Sequence, residues 1–230
     1  MADTTGTRAP PDAASLRPGT YIDSDHPAVA AFAARTAGAA EGAAAAVALY
    51  YAVRDEIRYD PYVPFTEPDT YRASAVLAKG SGYCVGKAAL LAAAARVRGI
   101  PARVAFADVR NHLATPRLLA LAGSDLFIYH GITELWLDGR WVKATPTFNL
   151  SLCEKFGIRP LDFDGASDAV LHPFDKTGRQ HMEYVRTRGS HTDVPVEELM
   201  AVMVATYPQL VAHNRGGRDG DFAREAQALR

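Results

Sequence analysis

A cysteine does nucleophilic chemistry when its surroundings help it to ionise, and Cys84 stands where the chain could arrange this. It follows Gly80-Ser-Gly-Tyr and opens an alanine-rich stretch, so the unpaired N–H groups and positive dipole end of a helix start would favour its thiolate. Such a sulfur attacks carbonyl carbons and holds the acyl group as a thioester until an acceptor takes it. The same position also suits a small buried hydrophobe, and the residues around it leave both readings open. A thiolate needs a proton carrier, most often histidine. Of seven histidines, His130 is the one set in a β-branched and aromatic run, Phe127-Ile-Tyr-His-Gly-Ile-Thr-Glu-Leu-Trp. A polar ring there needs a reason, either catalysis or a backbone carbonyl that satisfies it in the core. Cys153, after Ser151-Leu152, reads as a packed thiol. Cys84, His112, His130 and Cys153 have no short metal-ligand spacing among them, so no metal site is expected.

Elements must carry these groups to one place. Apolar residues recur at helical spacing over 28–35 and 41–59, and Asp60-Pro61 stops the second run because a residue before proline leaves the helical region. A proline-bearing surface loop over 61–70 and a short helix over 71–77 lead to Gly80-Ser81-Gly82. The helix opening at Cys84 is expected to reach Arg98, closed by Gly99 with Pro101 just beyond. Its alanines let neighbours approach on all sides, which predicts a buried helix. Strands are expected over 102–109, 126–137 and 140–145, the last two joined by Asp138-Gly139, a strong signal for a two-residue hairpin. Helices followed by an antiparallel sheet define the α+β class. Residues 149–195 are rich in Gly, Pro and Asp and read as covering loops, and 196–213 as one terminal helix. The expected organisation is a flexible arm over 1–18, a single domain over 19–213 and a frayed tail over 214–230.

Bulk properties narrow the function. The chain has 230 residues, 48% hydrophobic and 22% charged, enough to bury a full core, and a net charge of -1 with dispersed Lys and Arg offers no pull toward nucleic acid or anionic lipid. No apolar run is long enough for a membrane span, and residues 1–18 lack the basic start and apolar centre of a signal peptide. Two cysteines are not a disulfide framework, so a cytoplasmic setting with both as thiols is expected.

The order of pieces from Tyr71 to Asn149 resembles the transglutaminase-like core. Gly82-Tyr83-Cys84 leads a helix, Gly99-Ile-Pro-Ala-Arg-Val104 enters a strand, Tyr129-His130-Gly131 opens the next, and Trp141-Val-Lys-Ala-Thr-Pro-Thr147 matches a strand that in the family ends in Asp-Pro-Thr. The resemblance implies a papain- and transglutaminase-like α+β fold with Cys84 as nucleophile, His130 as base and no cofactor. It also implies an acyl donor that is a small or carrier-bound amide or thioester, and the charge and hydropathy above point to no nucleic-acid or membrane partner.

One position departs from the pattern, for Thr145 stands where the family has the aspartate that orients the histidine. Counting outward from the hairpin sets Ile132 opposite Thr145 and His130 opposite Thr147, which brings Thr145 within one diagonal step of the ring. In the family's sheet the strand after the cysteine helix runs antiparallel to the histidine strand, which would bring its end, at Asp108, near His130 as a replacement. The alternative for Asp108 is a strand-ending turn cap. Asn111 and His112 follow it and either line the same pocket or make the turn. Tyr83 either shapes an acyl pocket, with Thr145 as a second binding residue, or packs beside the nucleophile. The resemblance reaches Dieckmann cyclases, which release tetramate-type rings from carrier-bound thioesters with a Cys, Asp, His set. A fold kept as a binding module without catalysis is the contrasting expectation.

Overall fold

The computed structural model describes residues 10–112, 114–171, 181–215 and 221–228. Of the arm expected over 1–18, residues 1–9 lie outside that range, and Ala13–Ser15 forms a 3-10 turn capped by Asp12. Helices α1 (Pro27–Ala37) and α2 (Gly42–Glu56) come next, then strand β1 (Arg58–Tyr59), helix α3 (Ala73–Lys79), strand β2 (Ser81–Gly82) and helix α4 (Cys84–Val97). Strand β3 (Ala102–Asn111), helix α5 (Pro116–Ala122) and the hairpin of β4 (Leu126–Leu137) and β5 (Arg140–Ala144) follow. The chain then forms α6 (Leu150–Phe156), β6 (Met182–His191), α7 (Val196–Thr206), α8 (Pro208–Arg215) and α9 (Phe222–Gln227).

The four-stranded sheet runs in the order β5-β4-β3-β6 with every neighbouring pair antiparallel, and β1 and β2 form a separate parallel pair. Helix α4 is the spine: every residue from Cys84 to Arg96 is buried, because α1, α2, α3 and the sheet all close on it. Alanine side chains permit that approach from all directions. The hairpin turn has Asp138 at φ +48° and Gly139 at φ +80°, the geometry of a type I′ turn, and the ladder pairs Leu137 with Arg140 through to Thr133 with Ala144. At its tip Trp136 and Trp141 meet edge to face at 5.5 Å, and the Arg103 guanidinium lies 4.0 Å from the Trp141 ring centre. Among the described residues no helix is long and apolar enough to cross a membrane.

The α+β architecture holds, with four differences in the second half, the first being that Leu150–Phe156, read as loop, forms helix α6. Residues 182–191, read as loop, form the edge strand β6 on β3. Most of its side chains are exposed, so no apolar alternation marked it. The helix expected over 196–213 is two helices, broken at Tyr207-Pro208. Part of the expected tail is α9, which buries Phe222 and Ala226 against the core. Inside α4, Lys87 is fully buried, and its ammonium donates to the carbonyls of Arg54 at 2.9 Å and Ile57 at 2.6 Å. It thus satisfies the C-terminal end of α2 from within the core.

Candidate active site

Three local devices place Cys84. Gly80 ends α3 in the left-handed conformation, the β1–β2 pair fixes Ser81 and Gly82, and extended Tyr83 passes directly into the first turn of α4. Strand β4 crosses that turn at Gly131, where a Cβ would sit 2.7 Å from Val85 Cα and 3.0 Å from Val85 N. Only glycine permits this approach, and His130 is the residue before it. The thiol of Cys84 and the imidazole of His130 line one cavity.

Electrostatics in that cavity differ from what a helix start alone suggests. The amides of Gly131, Val85 and Cys84 lower the thiol's pKa, but burial outweighs them and pushes it up to about 11. Burial also holds His130 down to about 4, and its Nε2 is buried with no hydrogen-bond partner. Burial thus disfavours the charged forms of both groups, thiolate and imidazolium. The expected thiolate loses to desolvation, which sequence spacing does not register.

Asp108 sits where β3 and β4 slip register: Ala107 pairs with His130 and Val109 with Phe127, so Asp108 faces a bulge at Ile128 and Tyr129. Its carboxylate accepts from Arg188 Nε at 2.5 Å and Nη2 at 2.9 Å, and from the Tyr129 N–H at 3.2 Å. Tyr129 has φ +54°, a left-handed conformation for a residue with a bulky side chain, and the Arg188 guanidinium lies 4.3 Å from its ring centre. The Tyr129 hydroxyl donates to Glu198 on α7. Asp108 thus grips the backbone immediately before His130, and Arg188 neutralises it. Sequence reasoning missed Arg188, which lies on the unrecognised strand β6.

The remaining named residues divide between two cavities. Tyr83 lines the main one, and its ring meets Phe65 edge to face at 5.3 Å while its buried hydroxyl lies near the Tyr71 phenol. Asn111 lines it too, whereas His112 is near Glu183 at 3.7 Å. Thr145 borders a second, smaller cavity with Cys153, Leu171 and His181. Its hydroxyl has no hydrogen-bond partner, lying near the Tyr184 phenol without reaching bonding geometry. Thr147, two residues on, does line the main cavity, and its hydroxyl is likewise unpartnered. Tyr184 stands beside His130 with ring centres 6.5 Å apart. Among the described residues no group of three His, Cys, Asp or Glu is placed to hold a metal ion.

Comparison with known proteins matches this arrangement to a family. The profile described as the transglutaminase-like superfamily covers residues 30–146, just over half of the chain, and includes both Cys84 and His130. No curated protein matches. A solved structure described as a candidate cysteine protease from Cytophaga hutchinsonii is similar at 18% identity with a TM-score of 0.45, covering 77% of this chain and 53% of that one. The chain spans about half the length of that protein. By the extent of the profile match, this chain belongs to the transglutaminase-like superfamily.

Proposed function

We propose that the chain is a cysteine-dependent acyl-transfer enzyme acting on an amide or thioester carbonyl. The observation that carries this is the shared cavity: a helix-start thiol and an imidazole with an unpartnered Nε2 open into one space. Because burial disfavours both charged forms, attack and proton transfer occur together. The Cys84 sulfur bonds to the carbonyl carbon as its proton passes to His130, and the amides at the start of α4 receive the developing oxyanion. Collapse expels the leaving thiol or amine with the proton from His130 and leaves a thioester on Cys84. Water or a nucleophile then releases the acyl group, with His130 again moving the proton.

A second reading, ring closure by a carbanion within the acyl group, is favoured by one observation. No Asp, Glu, Lys or Arg lines the cavity among the described residues, so no charged side chain there is placed to recruit an amine. Under this reading the protein is a Dieckmann-type cyclase. A cytoplasmic setting suits either form, since Cys84 must remain a thiol, and both cysteines are free.

The test is acylation by a small thioester, acyl-pantetheine, followed by intact mass. A single acyl adduct is expected, abolished in Cys84→Ala and kept in Cys153→Ser. Full turnover by purified Cys84→Ala would overturn the proposal. Absence of any adduct from a range of thioesters and amides, with alkylation no faster than a free thiol's, would leave a binding module instead.

A further inference from the structure

From the walls of this cavity, and resting on the acyl-transfer reading, we infer that the acyl group is apolar and uncharged, and that the C-terminal helices set its length. The nucleophile does not open onto a polar surface groove of the kind that would hold a peptide's charged side chains. Phe148 and Met182 line the space from one side, and Met203 of α7, Leu210 of α8 and Phe222 of α9 line it from the C-terminal segments. Met182, Met203, Leu210 and Phe222 are nearly inaccessible to solvent. Apolar area of this kind binds by excluding water, and each methylene added to a buried chain strengthens binding by up to about fourfold.

Charge is excluded for a separate reason. No lining residue is a Lys or an Arg among those described, and burial keeps the His130 ring neutral at physiological pH. A carboxylate on the acyl chain would therefore be buried without a counter-ion, which is strongly unfavourable. What the cavity does offer is neutral polarity. Tyr207 is already committed, donating to the Leu126 carbonyl at 2.8 Å and accepting from the Ile128 N–H at 2.8 Å. Thr147 carries a buried hydroxyl without a protein partner, which suits a keto or hydroxyl oxygen on an otherwise apolar acyl group.

The part of the wall formed by the C-terminal helices is held in place by polar contacts outside the cavity. Glu225 on α9 accepts from the Tyr62 hydroxyl at 2.7 Å and the Thr115 hydroxyl at 2.8 Å, and Asn214 on α8 donates to the Val63 carbonyl at 2.7 Å. Such a wall sets a fixed limit on chain length.

The experiment compares acetyl-, butyryl-, octanoyl- and succinyl-pantetheine as acyl donors, with Cys84 acylation followed by intact mass. In parallel, calorimetry measures binding of the corresponding unreactive acyl-pantetheine amides to Cys84→Ala, which keeps the cavity but cannot react. Octanoyl is expected to acylate at least 10-fold faster than acetyl, and succinyl at least 10-fold slower than butyryl, which has the same chain length without the charge. Met203→Trp and Leu210→Trp should each shift the optimum to shorter chains, lowering octanoyl relative to acetyl transfer. Equal rates for succinyl and butyryl, or a chain-length profile unmoved by both substitutions, would overturn the inference and leave the acyl-transfer reading standing. If no thioester acylates Cys84 but the octanoyl amide binds Cys84→Ala at least 10-fold more tightly than the acetyl amide, the functional reading fails and the apolar site remains.

Discussion

Residues 30–146 and residues 147–228 are built on different principles, and the site lies where they meet. In the first region α4 is held by close packing of alanines and by direct backbone contact at Gly131. The second region attaches through the β6–β3 ladder and through apolar burial such as that of Phe222 and Ala226, and it adds separate polar links: Arg188 to Asp108, Glu198 to Tyr129, Asn214 to Val63 and Glu225 to Tyr62. The reacting groups belong to the packed region, whereas much of the wall around the acyl group belongs to the linked one. Packed backbone cannot shift without cost, but a link can be changed one at a time. On the proposed reading, the division assigns chemistry to the first region and selectivity to the second.

The sharpest way to break that comparison is Gly131→Ala. The added methyl would meet the backbone of Val85, not a flexible side chain, so strand β4 and the start of α4 must separate. A displacement of about 1 Å between reacting groups costs on the order of 10²-fold, and a loss of at least that size in kcat/KM is expected with a lowered Tm. Activity within about threefold of the parent, measured on one thioester, would mean that this contact does not set the spacing of Cys84 and His130.

Asp108 is the link nearest the chemistry, and Asp108→Asn sharpens the comparison. The carboxylate holds the Tyr129 peptide and is neutralised by Arg188, so the amide loses the ion pair and loosens the bulge that carries His130. A loss of about 10² in kcat/KM is expected, against less than about 10-fold for Thr145→Ala, whose hydroxyl has no partner to lose. Should Thr145→Ala be the crippling change and Asp108→Asn nearly silent, the link through Asp108 has no catalytic weight.

The smallest effect is electrostatic. With the thiol pushed up to about 11, the thiolate fraction, and so the rate of alkylation by iodoacetamide, should rise about tenfold per pH unit from 7 to 10 without a plateau near neutrality. The sign follows from burial, which disfavours the charged form and moves the thiol upward. Phe222→Ala admits water from the second region and should move the curve toward lower pH. A plateau in the parent near pH 7 would mean that the amides at the helix start outweigh burial.

Legibility in the sequence followed the same division. The hairpin register, the helix start at Cys84 and its end near Gly99 are set by local signals, turn residues, caps and alternation, whereas the antiparallel neighbour of the histidine strand was implied by the family resemblance. Strand β6 escaped because an edge strand with mostly exposed side chains carries no periodic apolar pattern. Helix α9 escaped because Phe222 and Glu225 stabilise it through partners more than a hundred residues away, and nothing in its six residues announces them. Arg188 could not be matched to Asp108 across 80 residues without knowing that β6 exists. Nor does the sequence around Lys87 announce that its ammonium ends α2, whose carbonyls lie 30 and 33 residues away in the chain.

The tryptophan pair at the hairpin tip has a practical consequence. Trp136 and Trp141 are the only tryptophans in the chain, and neither lines the cavity. Intrinsic indole emission therefore reports opening of the β4–β5 hairpin and the departure of Arg103 from the Trp141 face, and it is silent when the acyl site fills. The cavity's own chromophores are phenols, those of Tyr59, Tyr83 and Tyr207, so occupancy is visible as a perturbation of tyrosine absorbance. Met203→Trp and Leu210→Trp would each add an indole at the wall of the site, turning a substitution meant to shorten the pocket into an optical reporter of what enters it.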